Sequence, residues 1–192
     1  MSLDQSQNWL FLFDHVVDRT APASPAALES VLMPISSAEI AAVRTHLKNP
    51  WPPSNPYFAS YRPLDPSRWI LPHAPLPAPY ISFLRWSDGA TWQTGNREFS
   101  CFGCKDLREY TLHYHFPEYM PGALPIGLDG GGVFGVFDLR KGPSDAVWAI
   151  GSGASSWENA VLVAKTFVDF CRGRVAVGDV YSEGFAAKRH AT

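Results

Sequence analysis

The segment Leu124-Pro125-Ile126-Gly127-Leu128-Asp129-Gly130-Gly131-Gly132-Val133-Phe134-Gly135-Val136-Phe137-Asp138 sets the architecture of this 192-residue chain. Its two apolar runs are too short for helices of ordinary length, and Asp129-Gly130-Gly131-Gly132 separates them. The glycines reach φ > 0 without strain, so they suit a sharp turn. The aromatic and β-branched residues of the second run favour a strand. A phosphate-cradling reading of the same glycines needs a helix directly after them, and here an apolar strand follows. Two strands joined by a tight turn are the expectation.

Working outward, Arg140-Lys141-Gly142-Pro143-Ser144-Asp145 reads as a further turn and Ala146–Ile150 as a return strand. Upstream, Trp92 to Cys101 reads as a hairpin around Thr94-Gly95-Asn96. Hairpins of this kind build a largely antiparallel sheet. Helices are expected around it. Ser36 and Glu39 have capping-box spacing ahead of Ile40, Val43 and Leu47, and Asn49-Pro50 stops that helix. Pro79 opens a short helix with Tyr80, Phe83 and Leu84 on its apolar face. Asp106 to Phe116 reads as another. Ser155 and Glu158 form a second capping box before Trp157, Ala160, Val161, Ala164, Phe167, Val168 and Cys171, which predicts a closing helix with a wide apolar face. Trp9 to Val17 fits a short N-terminal helix, broken by Ala21–Ala27. Val175–Tyr181 is expected as an edge strand able to pair with a second copy, followed by a tail. The fold class is α+β, with helices packed on a largely antiparallel sheet. The divisions are an N-terminal extension over 1–35, a domain over 36–172 with a Pro-rich insert at about 49–76, and an edge strand and tail over 173–192.

Composition bounds the function. Hydrophobic residues make up 46%, charged residues 18%, and the formal net charge is -2. A chain of this length buries roughly 70% of the surface its unfolded form exposes and needs no covalent staple. Nucleic acid is not an expected partner, because no basic stripe is present. Membrane insertion is not expected either: the longest uncharged stretch, Trp69–Leu84, is broken by prolines. No signal peptide is legible, and Cys101, Cys104 and Cys171 are too few for a disulfide framework, so a cytoplasmic protein with reduced thiols is the expectation. Ten of the 17 prolines lie between Pro50 and Pro79, where Trp51, Tyr57, Phe58, Tyr61 and Trp69 also fall. These rings are expected to plug the insert onto the body, or alternatively to stay exposed as anchors for a partner.

The second half resembles the SUKH superfamily, which contains bacterial toxin-immunity proteins and fungal regulators of cell-wall synthesis. Four segments carry the likeness, in the family's order. Leu76-Pro77-Ala78-Pro79-Tyr80-Ile81-Ser82-Phe83-Leu84 resembles its Leu-Pro, Tyr, Phe-Leu helix, and Ser87-Asp88-Gly89-Ala90 its Asx-Gly-Gly turn, with Ala90 in place of the second glycine. Leu124 to Gly132 resembles the strand entering its Gly-rich hairpin, and Ser155–Phe170 its closing helix. The insert before Leu76 has no counterpart in the family. The resemblance implies a mixed sheet wrapped by helices. It also implies a protein that binds other proteins, a cognate toxin in the bacterial branch, with no catalysis and no cofactor. Trp86, Asp88 and Trp92, around the Asp88-Gly89 turn, together with Asp129, Asp138 and Asp145, are the expected partner contacts, because charge pairing of the aspartates with a basic toxin would speed encounter.

Other chemistries fit these residues less well. Cys101-Phe102-Gly103-Cys104 has CxxC spacing, but Cys101 alternates with Phe99 as a core residue would. His113-x-His115 with Glu118 falls short of the three or four convergent ligands that a metal requires. No GxSxG elbow precedes a helix. A regulatory or scaffold protein, and an enzyme or metal/redox protein using Cys101 and Cys104, stand as the alternatives.

Overall fold

A computed structural model describes residues 9–190. Seven strands form one sheet: β1 (His15–Arg19), β2 (Ala90–Thr94), β3 (Arg97–Cys101), β4 (Ala123–Leu128), β5 (Val133–Asp138), β6 (Val147–Gly151) and β7 (Val161–Ala164). They lie side by side in chain order, and every neighbouring pair is antiparallel. The Asp129–Gly132 turn closes the β4–β5 hairpin as expected, with φ of 76° at Gly130 and 89° at Gly132. Pro125 cannot donate to the ladder, and the register shifts beside it, between Pro125 and Gly127. The helices are α1 (Pro25–Ser30), α2 (Ser37–His46), α3 (Ala78–Trp86), α4 (Cys104–His113), α5 (Phe116–Tyr119), α6 (Phe167–Arg172) and α7 (Val177–His190). This is the α+β class.

The parity of β5 distributes the core over both faces. Phe137 meets Tyr80 of α3 and Phe167 of α6, with ring centroids 5.1 and 5.9 Å away. Trp9 joins that layer, 5.4 Å from Phe83. Phe134, three residues back and therefore on the opposite face, meets Phe102, Tyr114 and Phe116 around α4 and α5. These rings are fully enclosed apart from Phe102 and Tyr114, and each enclosed ring contributes about 2–3 kcal/mol of burial. A smaller cluster of Val43, Trp69, Leu71 and Leu112 seats α2 and the end of the Pro-rich insert on α4.

Two arginines hold long-range contacts. Arg97 is buried, lies over the Phe170 ring, and donates to the carbonyls of Phe170 (2.7 Å) and Val175 (2.8 Å), closing the C-terminal end of α6. Arg108 of α4 forms two bonds to Glu39, that from Nε being the shorter. It also donates to the carbonyls of Ser30, Val31, Met33 and Pro34, so one guanidinium binds α1, α2 and their connection to α4.

Several sequence expectations are corrected. Ser155–Phe170 is not one helix: β7 and α6 replace it. Val161 packs opposite Ala149 as a strand residue, and the helix begins only at Thr166, whose hydroxyl accepts from the Asp169 N–H. The apolar run Ala160–Ala164 is too short for its periodicity to decide, and pairing with β6 selects the strand. Val175–Tyr181 is not an edge strand. It opens α7, which lies on β5–β7 with Val177 buried, Tyr181 against Gly151, and Gly184 so close to Val161 that a methyl there would displace the Val161 side chain. The Trp9–Val17 helix is a 3-10 turn (Trp9–Leu12) followed by β1, which pairs with β2, and α1 falls where a break was expected. The Asp106–Phe116 helix starts at Cys104 and ends at His113. Of the insert's rings only Trp69 is buried; Trp51, Tyr57 and Phe58 stand exposed.

Candidate functional site

The six residues expected at a partner surface do not form one site. Trp92 is completely enclosed, stacked 4.7 Å from Phe13, so it is a core residue with no surface to offer. Trp86 is half-buried, with the Arg19 guanidinium 4.8 Å from its ring centroid. Asp88 accepts from the Cys104 N–H at 2.6 Å, holding the first turn of α4. Asp129 accepts from the N–H groups of Gly131 and Val133 within its turn. Asp138 pairs with Arg140, which holds its carboxyl below the usual range, and the Arg140 guanidinium lies 4.1 Å from the Trp157 centroid. Asp145 accepts from the Phe167 N–H at 3.3 Å. Asp129 lies at one end of the β4–β5 hairpin and Asp138 at the other, about 17 Å apart by strand rise. Each aspartate serves a turn, a cap or an ion pair, and all remain partly exposed.

The thiols are sealed. Cys101, Cys104 and Cys171 are free and buried. Burial, reinforced by Asp88, pushes the Cys104 thiol up to about 12, and burial pushes Cys101 and Cys171 higher than their ordinary value. A thiol must ionise to attack or to bind a metal, so at neutral pH these three behave as small apolar side chains.

Two surface features remain. The first is the insert. Asn49 accepts from the Trp51 N–H and donates to the Phe58 carbonyl, while Asn55 accepts from the Tyr57 N–H. These bonds brace a short loop on which Trp51 (43% exposed), Tyr57 (63%) and Phe58 (40%) project, the first two rings 5.7 Å apart. A braced loop presenting adjacent aromatics has the composition of an interface anchor, because large rigid rings bury much area with little loss of side-chain freedom.

The second feature centres on His113, which borders three hollows. One of about 390 Å³ lies between α2 and α4 and is lined by Val43, Leu112, Glu39 and Arg108 among others. One of about 250 Å³ is lined by Val43, His46, His113 and His115. One of about 590 Å³ opens between α4–α5 and the loop that joins β6 to β7. His46 and His113 are 5.6 Å apart, and Trp69 and His115 are 5.5 Å apart. Trp69 donates its indole N–H to Glu118 at 2.8 Å. Burial, followed by the neighbouring His113, lowers the His115 pKa. Among the described residues, no group of three or more His, Cys, Asp or Glu side chains has metal-holding geometry.

In the sequence His113 and His115 stand only as a pair with Glu118, two positions apart and off any shared helical face. The structure instead places His115 after α4, in a left-handed conformation with φ 56°, which turns it back beside His113. The arrival of His46 from α2 had no local signal. Asn49 and Asn55, each a short polar residue next to or one removed from a proline, were the available sign that the insert is braced.

The model of the SMI1 / KNR4 family (SUKH-1) matches residues 71–173, more than half of the chain and nearly the span over which the sequence resembles that superfamily. No curated protein matches the chain significantly.

Proposed function

Because the chain belongs to the SMI1 / KNR4 family (SUKH-1), we propose that it is a protein-binding module that neutralises a cognate toxin domain by direct contact in the cytoplasm, without catalysis. The observation that carries this reading is the braced aromatic loop of the insert. Trp51, Tyr57 and Phe58 are held outward by hydrogen bonds of the loop itself, at the energetic expense of exposing apolar rings to water. Rings displayed in this way are stabilised once a partner covers them. The sealed thiols support the same reading, since they leave no reactive nucleophile among the cysteines. The half-exposed Trp86, Asp88, Asp129, Asp138 and Asp145 are proposed as outlying contacts that steer a basic partner and add little to the final affinity.

The test is capture and rescue. The chain is co-expressed with the C-terminal domain of the toxin encoded beside its gene, and both growth and co-purification are measured. Rescue with co-purification is expected. Replacing both Trp51 and Tyr57 by serine should abolish both readouts and leave the melting temperature unchanged. Binding that survives this double change removes the insert from the interface. A cellular partner captured without rescue replaces the immunity reading with a regulatory one.

A further inference from the structure

The Pro-rich insert carries charge as well as rings. Between Arg44 and His73 the chain has four cations, Arg44, Lys48, Arg62 and Arg68, and one carboxylate, Asp65. The whole chain has a net charge of -2, so the insert is a basic island on a chain of negative balance.

Asp65 is already committed. It pairs with Arg44 at 3.1 Å and accepts from the Ser67 N–H, capping the 3-10 turn Pro66–Arg68. Lys48, Arg62 and Arg68 are exposed and enter no ion pair among the described residues. Two of them stand at the foot of the rings. Lys48 precedes Asn49, whose side chain bonds the Phe58 carbonyl at 2.9 Å. Arg62 folds back onto the carbonyls of Ala59 (3.0 Å) and Tyr61 (2.9 Å), close in the chain to Phe58. The remaining donors have the same sense. Trp51 and Tyr57 donate their backbone N–H groups within the loop, and the indole N–H and phenol meet no acceptor among the described residues.

Apolar rings set among unpaired cations and free donors suit a ligand that combines apolar side chains with carboxylates. A bilayer asks for more: a face of aliphatic side chains able to sink below the headgroups, and Ile70 is the one exposed large aliphatic residue of the insert. We propose that the insert binds an acidic, apolar-rich segment of the partner protein. The rings lie between its apolar side chains, and Lys48, Arg62 and Arg68 face its carboxylates. This rests on the reading of the loop as a protein anchor. The insert is opposite in sign to Asp88, Asp129, Asp138 and Asp145 on the body, so insert and body select opposite charges on the partner. That difference fixes the orientation in which the two proteins dock.

The experiment is fluorescence polarisation of the full chain with two short labelled peptides. They share the same Leu, Phe and Pro residues and carry either glutamates or lysines between them. At about 50 mM NaCl the glutamate peptide should bind about tenfold tighter, as a few exposed charge pairs supply together. At about 300 mM the gap should narrow as screening sets in. Lys48→Glu combined with Arg68→Glu should reverse the preference and leave the melting temperature unchanged. Arg62 is kept, because it bonds the loop's own carbonyls. Trp51→Ser combined with Tyr57→Ser should weaken both peptides. Equal affinity for the two peptides, a preference unmoved by the charge reversal, or no saturable binding at millimolar peptide overturns the proposal. So does tighter binding of phosphatidylglycerol vesicles or of a thymidine oligonucleotide than of the glutamate peptide, which assigns the loop to a membrane or to nucleic acid. The toxin takes no part in these titrations, so they can fail while capture and rescue stand, and succeed where capture fails.

Discussion

Replacing Glu39 by glutamine tests how α1 and α2 are held to the sheet-bearing body. Glu39 receives two bonds from Arg108 and also accepts from the Ser36 N–H (2.8 Å) and Ser36 hydroxyl (2.7 Å). Arg108 foremost, and then Ser36, hold its carboxyl down at about 2 against an ordinary 4.5. That difference corresponds to about 3 kcal/mol at most. The Glu39 side chain is 28% exposed, so screening reduces the figure to about 1–2 kcal/mol. Glutamine keeps the shape and one acceptor for the cap but removes the charge. At pH 7 the variant should lose about 1–2 kcal/mol, or roughly 3–6 °C in melting temperature for a domain of this size. The sign with pH follows from linkage. A carboxyl whose pKa is depressed by folding stabilises fully above its unfolded value of 4.5, and that stabilisation fades as pH falls toward 2. Urea midpoints of the two proteins should therefore differ at pH 7 and draw together between pH 5 and pH 2. Equal midpoints at pH 7, or a gap that persists undiminished to pH 2, would refute the reasoning.

Arg97→Met should destabilise by about 2–3 kcal/mol in chemical denaturation, since the buried carbonyl of Phe170 and the partly buried carbonyl of Val175 lose their donor at the end of α6. Gly127→Ala should cost about 3 kcal/mol or prevent folding, because a methyl there meets the Ser100 carbonyl and the Phe99 ring; the fraction of soluble folded protein is the readout. A thiol reagent at pH 8 should label none of the three cysteines in the native chain and all three after denaturation, given the raised Cys104, Cys101 and Cys171 pKa values. Rapid labelling of native Cys104 would show that the segment around Asp88 and Gly103 opens far more readily than its packing indicates.

What the sequence determined by itself was whatever neighbouring residues settle between themselves. The Ser36–Glu39 capping box, the Asp129–Gly132 turn and the alternation of β2 and β3 each depend on residues a few positions apart, and these sufficed for the α+β class, while the family resemblance rested on ordered motifs such as Leu76–Leu84 and Leu124–Gly132. Tertiary structure decided what depends on distant partners. Val161–Ala164 became a strand because β6 offered an unpaired edge, and Val177 opened a helix because the sheet offered it a face to cover. The N-terminal residues entered the sheet because β2 was free to pair with them. The surfaces with functional promise follow the same division. Trp51, Tyr57 and Phe58 were visible as aromatics but not as exposed ones, and His46 came beside His113 only through folding. Local bonding energies are written in short spacings, whereas burial is a property of the whole packed chain, so exposure and convergence appear only once every element has found its neighbour.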